Sequence, residues 1–334
     1  MATLSIVNPT LRDVTSRMDP DGNIDSIVEL LSETNEVLSD MTFMEGNLPT
    51  GHRTTIRSGL PAPTWRKLYG GVQPNKSTTV QVTEACGMME AYAEVDKALA
   101  DLNGNTSSFR TSEDRAHIEG MNQEFASTLF YGDVDTAPEE FEGFAQRFSS
   151  TTAENGGNVV LSDGSASGAD QTSIWLVVWG PNTCHGIYPK GSTAGLQMTD
   201  KGQVTIEDID GSGGRMEAYR THYRWDVGMT VRDWRYIARV ANVDTGRLTA
   251  DESAGAKIAE SMITAMHKVP NINFGRPVFY CNRTVLTYLD LQTWNKSSMH
   301  LTYRELPHGE RVLDFRGVPV RRCDAILNTE AVVS

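Results

Sequence analysis

Cysteine is scarce and scattered in this chain: Cys86, Cys184, Cys281 and Cys323 are the only four in 334 residues, and no two form a C-x-x-C pair. A secreted disulfide scaffold is shorter and denser in cysteine, so four reduced, mostly buried thiols are expected. Long hydrophobic runs are missing too. The longest, Ile174 to Trp179 (IWLVVW), is far too short to cross a membrane. The opening "MATLSIVNPTLRDVTSRMDPDGN" lacks a basic start followed by an apolar run, so no signal peptide is expected.

Motifs of small-molecule chemistry are absent as well. No G-x-x-x-x-G-K-[ST] phosphate loop occurs, and "GSASG" at 164 to 168 misses the nucleophile elbow because Ala166 stands where serine is needed. "DIDGSGG" opens like a calcium loop, but Tyr219 occupies the position of the bidentate glutamate, so a flexible turn is the better reading. Seven histidines include no H-x-x-x-H or H-E-x-x-H pair. No catalytic residue, cofactor or metal site is therefore expected, and the chain reads as a non-enzyme. Its 43 acids against 30 bases give a net charge of −13, which argues against coating nucleic acid, because phosphate binding needs a basic surface to displace counterions.

What is present is a folded composition, 39% hydrophobic and 22% charged, with no internal repeat and no low-complexity tract. Residues 24 to 41 place Ile24, Ile27, Val28, Leu31, Leu38 and Met41 on one face at helical spacing, an amphipathic helix that needs a partner surface. From Gly46 to Thr83 the period vanishes. Glycine and proline punctuate the stretch, and its flanks "HRTTIRS" and "KSTTVQVTE" alternate like the arms of a long hairpin. Arg53, Arg57, Arg66, Lys67 and Lys76 lie here with no acid among them. Glu84 to Glu142 reverses the sign, with fourteen acids against Lys97, Arg110 and Arg115.

That acidic section turns helical, with Thr111 and Asp114 at capping-box spacing and Ile118, Met121, Phe125 and Leu129 as one stripe. "APEEFEGFAQRF" predicts a further helix started by Pro138, with Phe141, Phe144, Ala145 and Phe148 on one side. "TSIWLVVWG" predicts a strand buried on both faces, and "QVTIEDI", "HYRWDVGMTV" and "YIARVANV" further strands. Helices follow at "ADESAGAKIAESMITAMHKVP", capped by Thr249 and Glu252, and at "NRTVLTYLDLQ", separated by the strand "PVFYC". "RVLDFRGVPVRRCDAIL" reads as two strands about a glycine, and the class is α+β.

The run "ETNEVLSDMTFMEGNLPTGHRTTIRSGLPAPTWRKLYGGVQPNKSTTVQV", with "MNQEFASTLFYGD", "APEEFEGFAQRF" and "FRGVPVRRCDAIL", resembles the major capsid proteins of tailed bacteriophages, a short-tailed subfamily above all. The likeness runs from about Ile24 to Leu327 and rests on the order and length of these segments. It implies the Hong Kong 97-like capsid fold: an N-terminal arm with its helix (1–45), an extended β-hairpin loop (46–85), a peripheral domain with a spine helix (86–160), and remaining peripheral strands with an axial domain (161–334). Connections between these parts can be rewired within the family.

The implied function is a structural subunit that builds hexamers and pentamers of an icosahedral head around double-stranded DNA, without reading its sequence. A same-fold nanocompartment shell of the encapsulin kind is the alternative, and an enzyme or sugar-binding β-module the rival from another class. The implied partners are further copies, a portal, in some cases a decoration protein, and a separate scaffolding protein, because the chain starts almost directly with the arm. The implied location is the virion capsid, assembled in the bacterial host cytoplasm, with no membrane role. Some relatives cross-link a loop lysine to a neighbour's asparagine; Lys67 and Lys76 have no matching acceptor motif, so non-covalent assembly is expected. On the hairpin, Arg53, Arg57, Trp65, Arg66, Lys67, Tyr69 and Lys76 are the candidate intersubunit contacts, with Trp65, Arg66 and Tyr69 of residue types enriched at interface hot spots. On the N-terminal helix the candidates are Ile27, Leu31 and Leu38.

Overall fold

The computed structural model describes residues 35–101, 106–162, 170–207, 214–248, 257–294, 301–305 and 311–334. The described chain divides into two compact units. One comprises Met88–Ala126 and Gly195–Asp226; the other comprises Asn35–Gly87, Ser127–Ala194 and Val227–Ser334.

The second unit is organised on the strand β5 (Gln171–Trp179), which is buried along its whole length. Antiparallel neighbours flank it, β9 (Ile237–Asp244) through Gln171–Val177 and β10 (Arg276–Cys281) through Trp175–Trp179. Around these lie β4 (Val159–Leu161) parallel to β9, β6 (Cys184–Tyr188) paired to β1 (Phe43–Glu45), and β13 (Val318–Arg322) parallel to β10. From β13 the order continues to β12 (Arg311–Phe315) and β11 (Leu301–Glu305). Arg316 and Gly317, both at positive φ (51° and 86°), make the two-residue turn between β12 and β13, the geometry that favours glycine at such a hairpin.

Alternation sorts the β5 side chains into two cores. Ile174, Leu176 and Val178 join an aliphatic cluster with Ile258, Met262 and Ala265 of one helix (Ile258–Lys268) and Val285 and Leu289 of another (Arg283–Trp294). Asn282 caps the latter, its side-chain oxygen accepting the Val285 N–H at 3.0 Å. Trp175 and Trp179 face the other way, among Phe130, Phe144 and Phe148, with ring centroids 5.7–6.2 Å apart. Trp179 Nε1 donates to the Tyr280 hydroxyl at 2.8 Å, and that hydroxyl donates to Asp40 at 3.1 Å.

One ion pair is sealed inside this aromatic side. Arg239, opposite Trp175 on β9, lies 5.0 Å over the Trp175 ring. It donates to Glu330 at 2.8 Å, to the Phe148 carbonyl at 2.9 Å and to the Ser173 hydroxyl at 3.0 Å. Glu330 also accepts from Ser173 and, at 2.5 Å, from the Tyr131 hydroxyl. Burial first, and then the Glu330 charge, push the Tyr131 phenol far above its ordinary range, so it remains a donor. The buried charges are thus paired and hydrogen-bonded, as they must be to be tolerated.

The other unit holds the antiparallel pair β7 (Gln197–Glu207) and β8 (Arg215–Val231), the far end of β3 (Thr78–Asp96) and most of a long helix, Thr106–Tyr131. β3, β8 and this helix each begin in one unit and end in the other. Phe125 stacks on Trp225 at 4.6 Å, and Phe109 packs with Val95 and Ala100. Across β3 and β8, Glu94 pairs with Arg220 at 2.5 Å and Glu90 with His222 at 3.2 Å. Asp200 lies 2.6 Å from Arg110, whose hydrogen bond holds its carboxyl below the usual range.

Four sequence expectations change. The long helix begins at Thr106, so Thr111 is inside it, donating its hydroxyl to the Ser107 carbonyl instead of capping. Ile118 is 40% exposed and Phe109 is buried in the stripe instead, because the earlier start places another turn against the strands. Only Phe144–Arg147 of the predicted Pro138 helix is helical. Gly143 breaks it by donating to the Gly132 carbonyl at 2.9 Å, and a Cβ at Gly132 would meet the Thr128 carbonyl at 2.6 Å, so both glycines serve a tight turn that still buries Phe141, Phe144 and Phe148. Among the described residues the predicted N-terminal helix is confined to Val37–Asp40: Asn35 before it bridges to Cys323, and after it Arg276 and Arg321 draw Asp40 inward and the chain leaves as β1.

Ile24, Ile27, Val28 and Leu31 lie outside the described residues, as do "GSASG", "DGSG" at 210–213 and the Thr249/Glu252 cap. The double burial of β5, the β7 and β8 strands, the helix at Arg283–Trp294 and the terminal strand pair agree with the sequence reading. The four cysteines are free. Among the described residues no helix is long and apolar enough to cross a membrane.

Replacing Glu330 by alanine leaves Arg239 charged and buried without its acid. Equilibrium denaturation of the subunit is expected to show a loss of about 3–5 kcal/mol; a loss under about 1 kcal/mol would mean that the site is wet or the tail undocked.

Candidate functional site: the basic hairpin and its base

The hairpin pairs β2 (Gly51–Gly59) with the first half of β3, from Gly51 opposite Ala85 to Gly59 opposite Thr78. Threonine and β-branched residues line both arms, the composition that suits a pleated surface lacking a core of its own. The Ser58 and Thr78 hydroxyls meet at 3.0 Å where the arms part. Beyond them the tip carries no strand. The Gly70 N–H donates to the Lys67 carbonyl at 3.1 Å, closing a turn, and the Asn75 side chain donates to the Ala62 carbonyl. Within that turn Tyr69 is held at φ 62°, a conformation that costs a residue with a Cβ roughly 1–2 kcal/mol.

The tip exposes its largest side chains. Trp65 is 100% exposed and Tyr69 102%, with Leu60 and Leu68 nearly as open. Arg57, Arg66, Lys67 and Lys76 are exposed and have no ion-pair partner among the described residues. Arg53 differs, since its Nε donates to Thr83 Oγ1 at 3.2 Å. The structure therefore gathers Trp65, Arg66, Lys67 and Tyr69 on the tip and leaves Arg53 and Arg57 on an arm. Of the N-terminal candidates only Leu38 is described, half-buried next to the buried Val37.

At the base the exposed character ends. Arg147 donates to both oxygens of Glu84, at 2.8 and 2.7 Å, a bidentate pair with both side chains largely buried. Asn47 grips Arg53 through its backbone, donating to the carbonyl and accepting from the N–H, each at 2.7 Å. His52 and His185 face each other edge to face, with centroids 6.0 Å apart. Sequence reasoning proposed none of Glu84, Arg147, Asn47 or His185 as a site residue, and no spacing signal marks them as partners. Among the described residues no cluster of His, Cys, Asp and Glu is placed to hold a metal.

A long exposed hairpin is thus tied at its base to a mixed α+β body. Comparisons with known proteins give the class. A family model described as major capsid protein GP7 matches residues 19–334. The structure of bacteriophage Epsilon15 is similar at 36% identity and TM-score 0.80, over 100% of this chain and 99% of that one. The bacteriophage JBD30 capsid matches at 11% identity and TM-score 0.49, over 89% and 93%. The SrpI encapsulin of Synechococcus elongatus matches at 12% identity and TM-score 0.46, over 71% and 97%. No curated protein sequence matches.

The chain belongs to the major capsid protein GP7 family. It is a phage-head major capsid protein with the Hong Kong 97-like fold, forming the virion shell, and the phage reading prevails over the nanocompartment alternative.

Asn47→Ala frees the Arg53 N–H and carbonyl. Hydrogen exchange is expected to quicken at 51–55, with a stability loss of about 1 kcal/mol; unchanged protection at Arg53 would show that the side-chain clamp is idle.

Proposed function

We propose that the hairpin is the subunit's reach into its neighbour: Trp65, Arg66, Lys67 and Tyr69 bind an adjacent copy in the hexamers and pentamers of the shell. Arg53 and Arg57 add charge on an arm and Lys76 on the strandless tip segment, and Ile27, Leu31 and Leu38 tie capsomers together from the N-terminal arm. The observation that carries this reading is the tip itself, whose aromatic side chains are fully exposed beside cations that have no ion-pair partner among the described residues. Tryptophan, tyrosine and arginine are the residue types that dominate interface energetics once desolvated. The acid-rich stretch from Glu84 to Glu142 offers a complementary sign for steering.

The parts are assigned as arm (1–45), extended loop (46–85), peripheral domain with its spine helix (86–160), and remaining peripheral strands with the axial domain (161–334). The shell encloses double-stranded DNA without sequence-specific contacts, consistent with a net charge of −13. Assembly takes place in the host cytoplasm around a scaffolding protein and a portal, with a decoration protein as a further partner. The role is structural, without catalysis, cofactor or covalent cross-link.

The double substitution Arg66→Glu and Lys67→Glu tests the tip. The subunit is expected to keep its circular dichroism and melting temperature, because nothing in its own fold leans on these side chains. Shell yield in electron micrographs and sedimentation is expected to fall at least tenfold, the loss of about 1.4 kcal/mol or more per contact. Normal particles at normal yield would remove the tip from the interface.

A further inference from the structure

Strands β2 and β6 bring two imidazoles into one partly buried site at the root of the hairpin. His52 comes from β2, where it stands opposite Glu84, and His185 comes from β6, where it stands opposite Thr230 of β8. The rings approach to 6.0 Å at an interplanar angle of 76°. In each ring Nδ1 is buried without a hydrogen-bond partner. A neutral imidazole tolerates an empty acceptor at modest cost, whereas a proton placed there becomes a buried donor, and a charge, with nothing to receive it.

The charged groups around the pair favour neutrality. Arg232, just past β8, disfavours protonation of both rings, and each proton would also repel the other ring. Glu84 on β3 is the one acid acting in the opposite sense, and it is already held by both guanidinium nitrogens of Arg147. On β1, Glu45 is directed to the Gly191 N–H at 2.9 Å, away from the rings.

We propose that the His52–His185 contact is an acid-labile hinge: protonation of the pair separates β2 from β6 and releases the root of the hairpin while the body of the unit stays folded. Burial, Arg232 and the neighbouring ring oppose a proton, and against them stand Glu84, already bound to Arg147, and a backbone hydrogen bond to Gly180. The hinge lies where β2 enters the body, so opening it re-aims the whole hairpin. The inference does not depend on what the hairpin tip binds.

The sign follows from the direction of the shifts. Burial, then His52, then Arg232, bring His185 down to about 4, and burial followed by Arg232 lowers His52. Both groups bind protons more tightly when the contact is open. The closed state is therefore fully favoured above the ordinary histidine range near 6.5, and loses ground as pH falls from there toward 4. Between pH 7.5 and pH 5, the opening equilibrium is expected to rise at least about tenfold.

Hydrogen exchange on the full-length subunit, corrected for intrinsic pH dependence, tests this. Peptides covering Gly51–Thr55 and Cys184–Ile187 are expected to lose protection about tenfold at pH 5, while the helix at Arg283–Trp294 is unchanged. His185→Gln is expected to reduce that change to under about threefold. Because this buried substitution risks misfolding, His52→Gln at the half-buried position provides the second variant, with the same expected direction. Wild-type protection that does not respond to acid would overturn the hinge, as would an undiminished response in His52→Gln. Nuclear magnetic resonance showing either imidazole titrating at or above 6.5 would overturn it as well.

Discussion

Everything in the larger unit is arranged around a strand that is dry on both sides. β5 cannot satisfy its side chains with one layer, so it takes helices against Ile174, Leu176 and Val178, and an aromatic shell against Trp175 and Trp179. The aromatic shell imposes a second requirement. Its large rings leave room for a guanidinium but none for water-exposed charge, so Arg239 has to find its acid inside. Glu330 comes from the far end of the chain to meet it, bringing the backbone of 328–334 onto β5 and β9: the Glu330 N–H donates to Gln171 at 2.9 Å, and the Asn242 side chain donates to Val333 at 2.8 Å. An apolar constraint on nine residues thus fixes the path of segments more than a hundred residues away.

The hairpin follows opposite rules. It leaves a body stabilised by burial and extends with almost none, so its order comes from the two-stranded ladder, the Glu84–Arg147 lock and local hydrogen bonds. Such a ribbon is marginal alone. A base fixed in this way lowers the entropy that any binding by the hairpin would cost, which is how a preformed element gains affinity without added contact area. The Tyr69 turn is likewise ordered locally, closed by the Gly70 N–H on the Lys67 carbonyl with the tyrosine ring exposed.

Much of the fold was legible because period and composition change together. The continuous apolar run at β5, the threonine-rich arms and the glycine at 317 each have a local cause that a single sequence exposes. The helix boundaries did not, since Thr111 and Asp114 satisfy a capping pattern by chance, and the true start lies a full turn or more earlier, where Phe109 is needed for packing. Pro138 likewise signalled a helix that Gly143 interrupts. The basic tip was legible from charge alone, because no acid occurs between Gly46 and Thr83. Its base was not. Asp40, Glu84, Arg147 and Arg239 acquire their meaning from partners brought in by the topology, and a carboxylate destined for burial looks like any other in one dimension.

The Asn47 clamp has an implication for how copies meet. β2 ends the strand order, so its outer rim offers unpaired amides and carbonyls, the template on which another strand would zip. Near the root, the Asn47 amide already occupies both groups of Arg53, and Asn47 therefore acts as a stopper at the point where such zipping would propagate into the body. A second strand laid along β2 would therefore stop at Arg53, which biases copies of this chain away from merging ribbon to ribbon into fibres.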